Sequence, residues 1–370
     1  MNFEFSEDAL FLRDQASDFL RDQCSSSVVR TVLDGQQAYA KELWQSVAEM
    51  GWLGVAIPEE YGGVGLGYEG LCVIAEELGR VVAPLPFSSS IYLAAEFILR
   101  AGSVDEKQNL LPQMVAGSLI GTFALSEGFG RPDPASVQLR AEGAKLTGVK
   151  WPVPDGSIAD FAIVAARDEA GVGLYRVDLN QAGVERQRLT SVDPTRDIAQ
   201  LNFASAPAVR MGPAGDAWGI IQAVLDRAAV LVAFEQVGGA QAALIMARDH
   251  SLQRYAFGRS IASFQAIKHK LADVYVAVEL ARSNAYYGAW ALSGGDHVVA
   301  IAGAGARVAA SHAYFVASKE NIQTHGGTGY TWEFDCHLYY RRSKYLGLVL
   351  GAVPYWKDRL VTRVEAGEAL

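Results

Sequence analysis

The sequence predicts an α+β multidomain protein in three parts: an α-helical domain over residues 1–116, a β domain over 117–214 and a helical bundle over 215–370. Three observations carry this reading. The 370 residues exceed what one hydrophobic core usually organises. Proline gathers in the centre, at Pro132, Pro134, Pro152, Pro154, Pro194, Pro207 and Pro213, where long helices would not tolerate it, and is then absent from Trp218 to Pro354. That last stretch is rich in Ala and Leu at helical spacing, whereas the centre is cut into short apolar runs by Gly, Pro and Asp.

The elements follow in order. Ser6 is an N-cap with Glu7 and Asp8 in the first turn, and Phe5 before it is placed to staple onto Leu10. The helix so started buries Leu12, Ala16, Phe19 and Leu20. Further helices are predicted over residues 41–50, 68–79, 90–101 and 105–116, with Gly51 and Gly79 as C-terminal stops. From Leu119 onward the apolar runs at 161–165 and 173–177, bounded by turn residues, read as strands. Beyond Trp218 the spacing is that of long bundle helices.

Composition narrows the function classes. Lys and Arg total 32 against 41 Asp and Glu, a net charge of −9, so nucleic acid and anionic lipid are not expected partners and any phosphate ligand must be held by local groups. The longest apolar runs, 228–234 and 298–317, are bracketed by Arg227 and Glu235 or contain Arg307 and His312, so both read as buried helices rather than membrane spans. Residues 1–8 show no basic segment followed by a long apolar one, so a cytoplasmic location is expected. Cys24, Cys72 and Cys336 are far apart and odd in number, and are expected to be free thiols. The six histidines lack metal-ligand spacing, and no glycine-flanked serine marks a nucleophile elbow.

Gly65-Leu66-Gly67-Tyr68-Glu69-Gly70 matches the dinucleotide fingerprint letter by letter, but Pro58-Glu59-Glu60-Tyr61 before it is no strand, so a turn before a helix is expected. More informative are Arg254-Tyr255-Ala256-Phe257-Gly258-Arg259, the run from Phe264-Gln265 to Asp273, and Gln323-Thr324-His325-Gly326-Gly327-Thr328-Gly329-Tyr330. Arg254 has the fork for a pyrophosphate, and Gly326-Gly327 clears side chains from where backbone N–H groups would meet phosphate oxygens. On spacing alone, an exposed arginine and a helix-ending glycine pair remain the simpler account.

Together with Trp52-Leu53-Gly54-Val55-Ala56-Ile57-Pro58-Glu59-Glu60-Tyr61-Gly62-Gly63 and Glu76-Glu77-Leu78-Gly79, these segments resemble the acyl-CoA dehydrogenase family in the right order over essentially the whole chain. The resemblance implies an N-terminal α-helical domain, a central β-barrel or sandwich domain and a C-terminal four-helix bundle, usually assembled as a tetramer. It implies FAD bound partly across a subunit interface. Arg254 and Phe257 are then expected to reach the FAD of a neighbouring subunit, Gln265 to lie near its ribityl-pyrophosphate, Gln323, Gly326 and Gly327 to contact the adenosine diphosphate side, and Ser126 to offer a hydroxyl to the flavin. The implied reaction is α,β-desaturation of an acyl-CoA thioester: a glutamate removes the α-proton, a hydride passes from the β-carbon to flavin N5, and electrons go on to an electron-transferring flavoprotein.

The chain departs from that pattern where chemistry occurs. The family's commonest base lies in a Tyr-Glu-Gly-Thr sequence, and here the register after Arg341-Arg342-Ser343-Lys344 gives Val349-Leu350-Gly351-Ala352. The alternative base position, on the first long bundle helix, falls on Ala228. Glu235, seven residues on, returns to nearly the same helical face about 10 Å along the axis, and is the remaining carboxylate candidate beside a structural role. The family's Gly-Ser-Asp and Trp-Ile-Thr align with Arg131-Pro132-Asp133 and Pro152-Val153-Pro154, which lack the serine, the aromatic face and the hydroxyl donor. In these losses the chain is similar to the subunits without a catalytic glutamate in heterotetrameric acyl-CoA dehydrogenases of the steroid-side-chain type. Three expectations therefore stand together: a dehydrogenase with a relocated base, as a homo-oligomer; a non-catalytic partner subunit completing an FAD site on another chain; and a CoA-ester binding protein without redox activity.

Overall fold

In the computed structural model the chain is described over residues 5–215 and 217–367, so residues 1–4 of the stretch read above for a secretion signal lie outside the described residues. Helices α1 (Glu7–Gln23), α2 (Ser26–Leu33), α3 (Lys41–Glu49), α4 (Gly67–Arg80), α5 (Glu96–Ala101) and α6 (Val104–Val115) come first. Strands β1 (Gly121–Ala124), β2 (Arg140–Glu142), β3 (Lys145–Pro154), β4 (Phe161–Asp168), β5 (Gly171–Asp178), β6 (Val184–Arg188), β7 (Ile198–Pro207) and β8 (Val209–Met211) follow. The C-terminal part comprises α7 (Ala217–Gln253), the hairpin β9 (Tyr255–Ala256) and β10 (Arg259–Ser260), then α8 (Gln265–Leu292), α9 (Asp296–His325), α10 (Cys336–Leu346) and α11 (Val353–Glu365). This helix, sheet, helix order is the α+β arrangement that the sequence predicts. The predicted helix over 90–101 is in fact a π-helical stretch, Ser88–Ala95, running into α5.

The described chain forms two compact units, neither contiguous in sequence: residues 30–67 with 84–228, and residues 1–29 and 68–83 with 229–370. The first is built on an eight-stranded mixed sheet of order β6-β7-β3-β2-β4-β5-β8, with β1 parallel to β4 off that path. β4 and β5 pair antiparallel from Phe161 opposite Asp178 to Asp168 opposite Gly171. The first six residues of β4 are all buried, which is why its sequence is a continuous apolar run rather than an alternating one. The all-buried π-helical stretch Ser88–Ala95 packs on this core, and Ser90 Oγ accepts from Gly121 N at 3.3 Å.

In the second unit α1 starts as its sequence dictates. Ser6 Oγ accepts from Ala9 N at 3.3 Å, and the Glu69 carboxylate accepts from Ser6 N at 2.6 Å and from its hydroxyl at 3.1 Å. Ala16 and Leu20 are fully buried. Phe5 packs on Tyr286, with ring centroids 4.7 Å apart, and on Phe234. Gly51 is a stop, with φ +75 just beyond α3. Gly79 is not: it lies inside α4 and marks a helix crossing. A Cβ built there would overlap the carbonyl oxygen of Glu235, and one at Gly238 in α7 would overlap that of Glu76. The small residues of the bundle serve the same end elsewhere, since a Cβ at Gly239 would overlap the Tyr314 ring and one at Gly288 would sit 2.9 Å from Val230 Cγ1.

Gly238→Ala is therefore expected to lower stability by about 3 kcal/mol, because the obstacle is backbone and has no rotamer to yield. A urea titration checks this, and an unshifted midpoint would mean that the crossing relaxes freely. α7 and α9 are long and apolar enough to cross a membrane by length and composition alone, and 72% and 61% of their most apolar windows is buried within the protein. The three cysteines are free and buried, and burial pushes the Cys24 thiol up to about 12 and that of Cys336 up to about 11.

Candidate functional site

The groups expected to meet a diphosphate are gathered at one end of the bundle. His250, in the last turn of α7, stacks on His325, the last residue of α9, with ring centroids 3.9 Å apart and planes 25° from parallel. Arg254 follows His250 by one turn, and Gly326-Gly327 follows His325 directly, so the stack brings them to a shared neighbourhood. Burial first, then the charges of His325 and Arg254, hold the His250 imidazole below its ordinary range.

The Arg254 backbone is fixed by two hydrogen bonds, its N–H donating to His250 O at 2.8 Å and its carbonyl accepting from Ile261 N at 2.9 Å. Its exposed guanidinium has no partner among the described residues. Gly326 has φ +61, and a Cβ built at Gly326 or Gly327 would meet nothing within 4 Å. The backbone there is open to a ligand, and an arginine fork stands near it. Gln323 is exposed one turn before the glycine pair. Gln265 is exposed at the first position of α8, a 28-residue helix whose positive dipole end favours an anion.

Phe257 lies in the two-residue turn of the β9–β10 hairpin. Both turn residues have positive φ, +52 at Phe257 and +78 at Gly258, the backbone that a tight hairpin requires. A phenylalanine in this left-handed region is strained by about 1–2 kcal/mol, yet its ring is 95% exposed. Its edge-on neighbour Phe264, with ring centroids 6.3 Å apart, leaves most of the Phe257 side chain open to solvent. Arg259 stacks over Phe264, 4.1 Å from the ring centroid. These groups fit the diphosphate end of a dinucleotide such as FAD.

Ser126 belongs to the sheet unit, in the segment after β1. Its carbonyl accepts from Trp151 N at 2.8 Å, and its half-buried hydroxyl has no partner among the described residues. Beside it Glu127 is fully committed: its carboxylate accepts from Gln138 N and Leu139 N at 3.0 Å and pairs with Lys150 Nζ at 2.6 Å. Burial pushes the Lys150 ammonium down to about 8 against the opposing pull of Glu127. Pro152 is exposed and Pro154 half-buried, and neither carries a hydroxyl to set beside that of Ser126.

The base positions carry no free acid. Ala228 is fully buried in α7. Leu350 lies between α10 and α11 with φ +63, followed by Gly351 at φ +102. That loop is held by Arg307, a completely buried residue of α9, which donates to the carbonyls of Leu346 and Val349, to Gln236 Oε1 at 2.6 Å and to Ser311 Oγ at 2.8 Å. Burial pushes the Arg307 guanidinium down to about 9, and the charge of Glu235 opposes the shift.

Glu235 itself is 4% exposed and pairs with the fully buried Arg342 at 3.4 Å, while Arg342 also donates to the carbonyls of Val82 and Ala83 at 3.2 Å. This geometry is that of a structural ion pair tying α7 and α10 to the end of α4. Arg307 and Arg342 were not legible as site-shaping residues. The only signal for Arg307 is that it is a lone arginine inside a long Ala-rich run. The fingerprint-like Gly65, at φ +72, lies in the turn before α4 and Gly67, at φ +73, opens the helix, and a short 3-10 turn, Glu59–Tyr61, precedes them in place of a strand.

Comparison with known proteins bears on the family and the fold. The family model for the acyl-CoA dehydrogenase N-terminal domain matches residues 6–118, and that for the C-terminal domain matches residues 215–354. The chain is 30% identical over 339 residues to acyl-CoA dehydrogenase IpdE2 of Mycobacterium tuberculosis, covering 91% of each. Among solved structures it is similar to a single-residue variant of the Tcur3481-Tcur3483 steroid ACAD, with a TM-score of 0.89 at 30% identity covering 98% of this chain and 99% of that one. It is also similar to the ChsE4-ChsE5 complex from Mycobacterium tuberculosis, with a TM-score of 0.88 at 26% identity covering 99% of each.

Proposed function

The chain belongs to the acyl-CoA dehydrogenase family, oxidoreductases acting on CH–CH groups, and from that premise we propose that it is a subunit of a heteromeric, FAD-dependent enzyme that desaturates an acyl-CoA thioester. In this reading it lends phosphate-side groups to a flavin whose ring contacts and catalytic base come from a partner chain. The observation that carries it is the residue at the base position: Leu350, in a loop that Arg307 holds in place, has no proton acceptor. Glu235 does not substitute for it, because its carboxylate is held by Arg342.

When bound, FAD supplies the two-electron acceptor for the desaturation. Arg254 would fork onto diphosphate oxygens, the N–H groups around Gly326-Gly327 would approach the same charge, and Gln265 and Gln323 would hydrogen-bond along the cofactor. Phe257 would add an aromatic face, and Ser126 a hydroxyl. An electron-transferring flavoprotein is the onward redox partner of this reading. The names of the similar two-chain structures support both the hetero-oligomer and a bulky, steroid-type acyl group.

The test is visible flavin absorbance per chain, recorded for this protein alone and after co-expression with a base-bearing homologous subunit. We expect the chain alone to hold little flavin and the pair to hold it and bleach with an acyl-CoA. Full bleaching by the chain alone would assign it autonomous catalysis. Acyl-CoA affinity with no flavin, even in the pair, would make it a CoA-ester binding protein.

A further inference from the structure

An open cavity of about 600 Å³ lies on the helical unit between α9, α10 and the start of α11, away from the Arg254 and Gly326 end of the bundle. Its apolar wall comes from Val308, Phe315 and Leu348, with Leu348 65% exposed at the lip. Its charged lining is one-signed, Lys344 and Lys357, beside the polar His312, Ser311 and Ser343, and none of the lining residues carries a carboxylate. In a chain with nine more acidic than basic side chains, that bias is local and specific.

Neither lysine is neutralised by a carboxylate among the described residues. Lys344 Nζ sits 3.7 Å from the Phe315 ring centroid and 5.1 Å from that of Tyr340, which orders the ammonium without cancelling its charge. Lys357 is exposed. Behind the cavity floor, Ser311 accepts from the buried Arg307, whose hydrogen bonds all go to neutral acceptors. The full charges lining the cavity are thus the two lysines, over apolar walls of low dielectric that strengthen their field.

We propose that this cavity is a binding site for an amphipathic organic acid, an aliphatic body of about ten carbons seated on Val308, Phe315 and Leu348 with its carboxylate between Lys344 and Lys357, in keeping with the volume of small-ligand pockets. The site is separate from the groups assigned to the flavin and does not depend on that assignment. Decanoate is the probe, and decanol, with the same body and no charge, is its control.

Calorimetric titration of the full-length protein in its native assembly is expected to show one decanoate per chain, with decanol about tenfold weaker because two exposed ion pairs are lost. Lys344→Ala/Lys357→Ala should bring decanoate to the level of decanol, and Val308→Trp, which fills the wall, should weaken both ligands. Circular dichroism shows that each variant is folded. Equal binding of decanoate and decanol, binding indifferent to both variants, or no binding because a second chain covers the cavity would each overturn the proposal.

Discussion

Glu235→Gln is expected to destabilise the protein by about 3–5 kcal/mol, a cost that a catalytic base at this position would not incur. Glutamine keeps the shape of the side chain, so no cavity opens, and what is removed is the charge that pairs with Arg342 and also acts on Arg307. Arg342 is fully buried and also donates to the backbone carbonyls of Val82 and Ala83, so it would retain those dipoles but lose the charge of Glu235. Arg342→Met should cost a similar amount by leaving Glu235 uncompensated. Glu235→Leu with Arg342→Met should cost less than the sum of the single changes, because the double variant removes both charges of the pair. Urea midpoints measure all of these, and a neutral Glu235→Gln would show that the pair is not structural and would return Glu235 to the list of bases.

Arg254→Glu should weaken FAD retention by the assembled enzyme by about a hundredfold. A hydrogen bond from a charged donor is worth ~1.5–3 kcal/mol, and the substituted carboxylate adds repulsion towards the diphosphate. Stability should hardly change, since the Arg254 side chain has no partner among the described residues and is exposed. Gly327→Val is the companion variant, because its added atoms would enter space that is open in the protein and meet only a ligand. Flavin content after gel filtration is the measurement. Full retention by both variants would remove this end of the bundle from the cofactor site.

Much of the fold is written locally. The Ser6 cap, the stop at Gly51 and the apolar runs of β4 and β5 each depend on residues within a few positions of one another, so a linear reading finds them. Gly79 reads as the same kind of stop and is not one. The two glycines differ in physical demand, a positive φ at Gly51 and a neighbouring backbone at Gly79, and only the three-dimensional arrangement separates them. The site divides in the same way. Arg254, Gln265, Gln323 and the glycine pair sit in recognisable segments, but the stacked histidines that join two of those segments are 75 residues apart. Arg307 and Arg342 are legible only as charges in apolar or basic surroundings. Their function comes from carbonyls and a carboxylate that accept from them and lie far away in sequence.

The reciprocal crossing of α4 and α7 also has a mechanical meaning. Gly79 receives the carbonyl of Glu235 while Gly238 receives that of Glu76, so each helix is notched at the point where the other protrudes. Sliding α7 by one turn would bring Phe234 or Ala242 to the notch, and neither side chain fits against a backbone carbonyl. The pair acts as a ratchet tooth with a single seat. Rotation about the contact remains open to these helices, and translation along it does not, so any motion that α4 transmits to α7 must be a pivot.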